Sequence, residues 1–125
     1  MVMYVAKWIV YYKKGLTTEQ KERLEKIGWN DELYYASGAT YNPKLTKFDV
    51  LSGKYVQVAV ETVDDIDRDG WCEQDVVFSR YNTTKRLTNA RELGTHSSMS
   101  LGEVLVDEQG RFYQCADEGW EEILN

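Results

Sequence analysis

Residues 98–123 read SMSLGEVLVDEQGRFYQCADEGWEEI, and the fold follows from how this stretch divides. Val104, Leu105 and Val106 are strand formers, and Phe112, Tyr113 and Cys115 make the next such set. Between them Asp107 to Gly110 supplies a reverse turn, with Gly110 free to take a positive φ. A second turn at Asp117 to Gly119 leads into a short strand over Trp120 to Leu124. The tail therefore reads as a three-stranded meander. Its edge strands offer backbone groups to a second chain, so both a monomer and a homodimer are open.

The elements upstream fit onto such a sheet. In Met3 to Lys13, Tyr4, Ala6, Trp8, Val10 and Tyr12 share one face, while Met3, Val5, Ile9 and Tyr11 share the other. Apolar residues on both faces mark a central strand, or one covered on both sides. Thr17 to Gly28 reads as a helix. Thr17 and Gln20 form a capping box, Glu19 and Glu22 suit the positive end of the dipole, and Gly28 ends it, with Trp29 placed to fold back onto Leu24. Only Leu24 and Ile27 are apolar inside it, so it must lie on the surface. Leu33 to Ala36 is expected as a short strand. Lys47 to Leu51, a turn at Ser52-Gly53 and Lys54 to Val63 are expected as a β-hairpin. In its second arm Val56, Val58 and Val60 alternate with Tyr55, Gln57, Ala59 and Glu61, the pattern of a half-buried strand. An acidic loop follows from Asp64 to Asp75, then a two-turn helix over Val76 to Tyr81, then a polar loop with a helical turn at Asn89 to Leu93. The fold class is α+β: one domain over residues 1–125, a mainly antiparallel sheet with one or two helices packed on it.

The net charge of −6 is unevenly spread. Residues 1–60 hold nine Lys or Arg and six Asp or Glu, a balance of +3; residues 61–125 hold six and fifteen, a balance of −9. An acidic second half argues against direct nucleic-acid binding, which needs a basic footprint. It suits a basic partner, including one whose nucleic-acid site the chain mimics. Arg80, Lys85, Arg86 and Arg91 are the one basic cluster in that half. With Tyr81 they have the residue types for phosphate contact and stacking, but they are better placed to pair with the acidic loop. No apolar run approaches the length of a membrane span, and Lys7 interrupts the apolar start that a secretory segment would need. Cys72 and Cys115 stand far apart, as reduced thiols of a cytoplasmic protein would.

Asp65-Ile66-Asp67-Arg68-Asp69-Gly70 is the sharpest local pattern. Acids at the first, third and fifth positions before a Gly match the start of a calcium loop, and Glu73 fills the ninth. Asp65, Asp67, Asp69 and Glu73 are thus the candidate metal ligands, for Ca2+. The twelfth position, which should be Glu, is Val76, and the segment before the loop is a strand. An Asp-rich turn that caps the next helix is the competing explanation. His96 is the only histidine. Ser97, Ser98 and Ser100 near it lack the G-x-S-x-G elbow, so no catalytic triad is expected.

Ser98-Met99-Ser100-Leu101-Gly102-Glu103-Val104, followed by Gly110, Tyr113 and Gly119-Trp120, resembles the tail of small uncharacterised proteins of bacteriophages and conjugative elements. Their pattern is Ser-x-Ser-x-Gly-Asp-Val/Ile, a Gly turn, an aromatic strand and Gly-Trp or Gly-Phe. The resemblance covers the second half of the chain. Glu103 stands where Asp is usual, and Asp67 to Asp75 looks like an insertion. The resemblance implies an accessory protein in the cytoplasm of a bacterial host cell.

Three functions compete. The first is a non-catalytic interaction module acting on a host protein, with Asp64, Asp65, Asp67, Asp69, Glu118, Trp120, Glu121 and Glu122 as the partner-binding residues. The second is an acidic inhibitor mimicking nucleic acid at a host defence or transcription protein. The third is a weak calcium-binding protein using residues 65–76.

Overall fold

The structure is a computed structural model that describes residues 5–37, 40–82 and 99–125. It is α+β, built on one five-stranded, wholly antiparallel sheet. The strands are β1 (Val5–Lys13), β2 (Tyr55–Asp64), β3 (Val104–Asp107), β4 (Phe112–Ala116) and β5 (Gly119–Ile123), in the spatial order β2-β1-β3-β4-β5. The C-terminal meander is β3-β4-β5. Its first turn is tied by Asp107, whose carboxylate accepts from the amides of Gln109 and Arg111 (2.9 Å each) and from Arg111 Nε (2.6 Å). Gly110 takes φ 78° in that turn, where a side chain would be strained.

As its pattern requires, β1 is covered on both faces. Ala6, Trp8, Val10 and Tyr12 are buried in a cluster with Val58, Ala59, Val63 and Leu105, under Val77 and Tyr81 of α5 (Glu73–Tyr81). On the other face Ile9 and Tyr11 pack against Val104, Val106, Phe112 and Ile123, covered by Leu45, Val50 and Tyr55. Full burial of one such side chain contributes about 1.5–3 kcal/mol, so the two clusters hold the sheet from both sides.

Three expectations from the sequence are corrected. Leu33 to Ala36 is not a strand but part of a helix, α2 (Asp31–Ala36). Asn30 caps it by accepting the Leu33 amide at 2.9 Å, and Asp31 and Glu32 lie in its first turn. Lys47 to Leu51 is not a hairpin arm. Thr46 and Asp49 form a capping box around a helical turn, α3 (Lys47–Asp49), which runs into a widened turn over Val50–Lys54. That turn ends at Gly53, whose φ is 102°. The simple alternation expected for β2 also fails. Val10 pairs with Ala59 but Tyr11 pairs with Gln57, so Val58 is one residue too many. This β-bulge shifts the phase of the strand. Val58 and Ala59 both enter the core, Glu61 and Val63 follow on the core face, and Val56 is left exposed.

The helix expected from Thr17 is α1 (Thr18–Ile27). Thr17 Oγ1 accepts the Gln20 amide at 3.1 Å and Gln20 Oε1 accepts the Thr17 amide at 2.9 Å. Gly28 ends it with φ 78°, but Trp29 stays largely in solvent. The helix before Tyr81 begins earlier than expected, at Glu73. Asp65–Arg68, inside the expected acidic loop, forms one more helical turn, α4. The expected helical turn at 89–93, His96, Ser97, Ser98, Lys85, Arg86 and Arg91 lie outside the described residues.

Candidate interaction surface

Three carboxylates of the acidic loop, those of Asp64, Asp67 and Glu73, serve the fold. Asp64 caps α4 by accepting the Asp67 amide at 2.7 Å, and Asp67 returns the bond to the Asp64 amide at 3.1 Å. Asp67 also pairs with Arg80 Nη2 at 3.1 Å. Glu73 accepts the Trp8 indole N–H at 2.8 Å, and Asp65 and Asp69 are exposed. Asp69 adopts φ 40°, the left-handed residue that closes the turn. Among the described residues no group of three or more His, Cys, Asp or Glu could hold a metal ion. The arrangement is that of an Asp-rich capping turn.

The second acidic group sits elsewhere. Glu118, Trp120, Glu121 and Glu122 lie on or beside β5, one edge of the sheet, whereas Asp64 ends β2, the other edge. Four strand spacings, roughly 19 Å, separate those edges. The eight residues singled out as one partner-binding set are therefore two separate patches. Trp120 is only partly available. It packs against the core beneath α5, edge-on to Phe78 with ring centroids 6.2 Å apart. Glu121 accepts a hydrogen bond from the Tyr41 hydroxyl, which pushes that phenol up to about 12.

Two buried carboxylates were not legible as such. Glu61 has no solvent exposure and faces the core opposite Trp8. It accepts Arg80 Nη1 at 2.7 Å and the Tyr81 hydroxyl at 3.0 Å. Arg80 Nη1 also donates to the Thr62 carbonyl at 2.8 Å. The Lys7 amide bonds to Glu108, on the β3 side of β1, at 2.7 Å. Its partner across β2, Thr62, therefore turns its carbonyl outward, and Arg80 covers that open edge group. Glu103 is the second. Its Oε2 accepts the Lys13 amide at 2.9 Å. Burial pushes its carboxyl up to about 7, against the opposing pull of the Lys13 amide and ammonium. Burial likewise lowers the Lys13 ammonium to about 8, with Glu103 pulling the other way. Lys13 Nζ donates to the Thr40 carbonyl and, at 2.9 Å, to Thr40 Oγ1. Gly102 makes this packing possible. Its φ is 86°, and a Cβ there would collide with the Thr40 carbonyl and the end of Lys13. Burial raises the Cys115 thiol to about 11, and partial burial shifts the exposed Cys72 in the same direction.

Exposed apolar side chains stand at several places, among them Phe48 and Leu51, Ile66 and Trp71, and Leu124; a further group lies on the α1–α2 arm, which the sequence did not single out. No residue of α1 is buried. Ile27 is 68% exposed, Trp29 59% and Tyr34 53%. Asn30 caps α2, so Trp29 is at N′ and Tyr34 at N4, the two positions that a hydrophobic staple brings together. Leu33, fully buried, anchors the arm, and Arg23 pairs with Glu32 at 3.2 Å between its two helices. Among the described residues no helix is long and apolar enough to cross a membrane. Comparison with protein-family models, with curated proteins and with solved structures finds no match.

Proposed function

We propose that the protein is a non-catalytic interaction module, an accessory protein of a phage or mobile element that docks on a host bacterial protein through its α1–α2 arm. One observation carries this reading. A helix with both ends capped has no buried residue, and the apolar residues at its C-terminal end stand more than half exposed beside a Tyr in the same condition. Trp and Tyr dominate the binding energy of protein interfaces, where a rigid ring contributes large area at low entropic cost. The tail resemblance supports the phage setting. Nucleic-acid mimicry requires a continuous acidic ridge, and the division of the carboxylates between opposite edges favours the arm instead.

The test is an affinity capture of the tagged protein from nuclease-treated bacterial lysate, read by mass spectrometry. It compares the wild type with Ile27→Ser/Trp29→Ser and with Glu121→Gln/Glu122→Gln. The expected result is a host protein held by the wild type and by the second variant but lost by the first. Unchanged capture by the arm variant rejects the proposal. Loss on neutralising Glu121 and Glu122, with steep weakening by salt, supports mimicry instead.

A further inference from the structure

A cavity of about 230 Å³ lies beneath the same arm. Tyr35 and Ala36 of α2, Leu45, and Tyr55 at the start of β2 give it mainly apolar walls. The larger cleft beside Trp8, about 290 Å³, is polar, and most of its charged groups are engaged. There Arg111 binds Asp107, Glu73 binds Trp8 and Glu108 binds the Lys7 amide. The cavity under the arm differs in its lining, which holds three lysines, Lys13, Lys14 and Lys54, against two acids, Glu32 and Asp49. Lys13 pairs with Tyr55 at the end of the β1/β2 ladder, and the next backbone bond runs from the Lys14 amide to the Lys54 carbonyl at 3.1 Å. That bond brings Lys14 and Lys54, both of which line the cavity, to neighbouring positions on the two segments. Asp49 compensates Lys54 in part, at 3.3 Å, and Glu32 is taken by Arg23. Thr17 and Gln20, at the N-terminus of α1, also line the cavity and add the positive end of that helix.

We propose that this cavity binds a small apolar anion, an aromatic carboxylate whose ring sits among Tyr35, Ala36, Leu45 and Tyr55 while its charge meets Lys14 and Lys54. Size sets the ligand class. An apolar cavity of about 150 Å³ holds benzene, so this one admits one or two fused rings with a short acidic tail. The site does not depend on whether the arm docks a partner protein.

Indole-3-acetate is the probe, and neutral indole-3-acetamide is its shape-matched control. Each is titrated into the 15N-labelled protein. The expected result is saturable shifts of the Gly15 and Gly53 amides with submillimolar affinity for the anion. Binding should weaken by about tenfold, or about 1.4 kcal/mol, for the amide and for Lys14→Glu. Ala36→Trp, at a half-buried position, should abolish binding by filling the cavity. The proposal is overturned if these amides show no saturable shift up to several millimolar, or if the two probes bind equally. It is overturned too if a folded Ala36→Trp protein binds as the wild type does. Should Ala36→Trp lose its dispersed spectrum, the exposed Lys14→Glu variant decides alone: equal affinity rejects the site.

Discussion

Replacing Arg80 by Met tests whether the buried Glu61 network holds the edge of the sheet. Arg80 is 14% exposed at its side chain and makes two ion pairs, to Glu61 at 2.7 Å and to Asp67 at 3.1 Å, and one hydrogen bond, to the Thr62 carbonyl at 2.8 Å. Met keeps the length and much of the apolar stem but none of the donors. Glu61, without access to water, is left with the Tyr81 hydroxyl. Removing one partner of a buried ion pair costs about 3–5 kcal/mol, because the other charge stays desolvated. For a chain of this size that is a fall in Tm of roughly 12–20 °C. The companion variants are Glu61→Leu and the double Glu61→Leu/Arg80→Met. If the network is a unit, the double variant is less destabilised than the sum of the singles, by about 2 kcal/mol. Urea unfolding followed by circular dichroism measures all four proteins. A loss below about 1 kcal/mol for Arg80→Met, or additivity within about 0.5 kcal/mol, refutes the argument.

Glu103→Gln should change how stability depends on pH. The folded carboxyl titrates at about 7 against the ordinary 4.5, so the folded chain holds a proton that the unfolded chain releases. That contribution is full below about 4.5 and is lost as pH rises through 7. The substituted amide keeps an acceptor without the charge, so the variant should gain on the wild type over this window by about 2–3 kcal/mol; parallel curves would contradict it. Gly102→Ala should lower stability by more than the roughly 1 kcal/mol expected for Gly110→Ala, since both have positive φ but only Gly102 lies against backbone and Lys13; equal effects would count against the contact. Trp120→Ala should cost about 2 kcal/mol, whereas Trp29→Ser should stay within about 0.5 kcal/mol; a reversed order would place the arm, not β5, in the core. Calcium at millimolar concentration should leave the Tm of the wild type unchanged, while Asp67→Asn should lower it by a similar amount with and without calcium; a Tm that rises with calcium would restore the metal loop.

What the residues disclosed, and what they concealed, follows from how local each signal is. The meander was legible because its turns carry their own chemistry, with Asp107 binding back to the next amides and Gly110 supplying the positive φ. The boundaries of α1 were legible for the same reason, in the reciprocal bonds of Thr17 and Gln20. Two helices hid behind residues with strand propensity. Tyr34-Tyr35 outweighed the Asn30 cap, and Val50-Leu51 outweighed the Thr46–Asp49 box, although both caps were present in the sequence. In such short segments the cap is the better guide, since it states where orphaned amides go, while propensity says only what surface a side chain prefers. The bulge at Val58 has no local mark. Neither glycine nor proline stands there, and the extra residue exists only in relation to β1. Yet that one residue turns Glu61 from an expected surface group into the buried centre of the Arg80 network. The candidate surfaces follow the same logic. Clustered charge was visible along the chain, but whether two clusters make one surface depends on strand order, and here they lie on opposite edges. The exposed arm and its cavity arise from what α1 fails to bury, a property of the packed molecule that no window of the sequence contains.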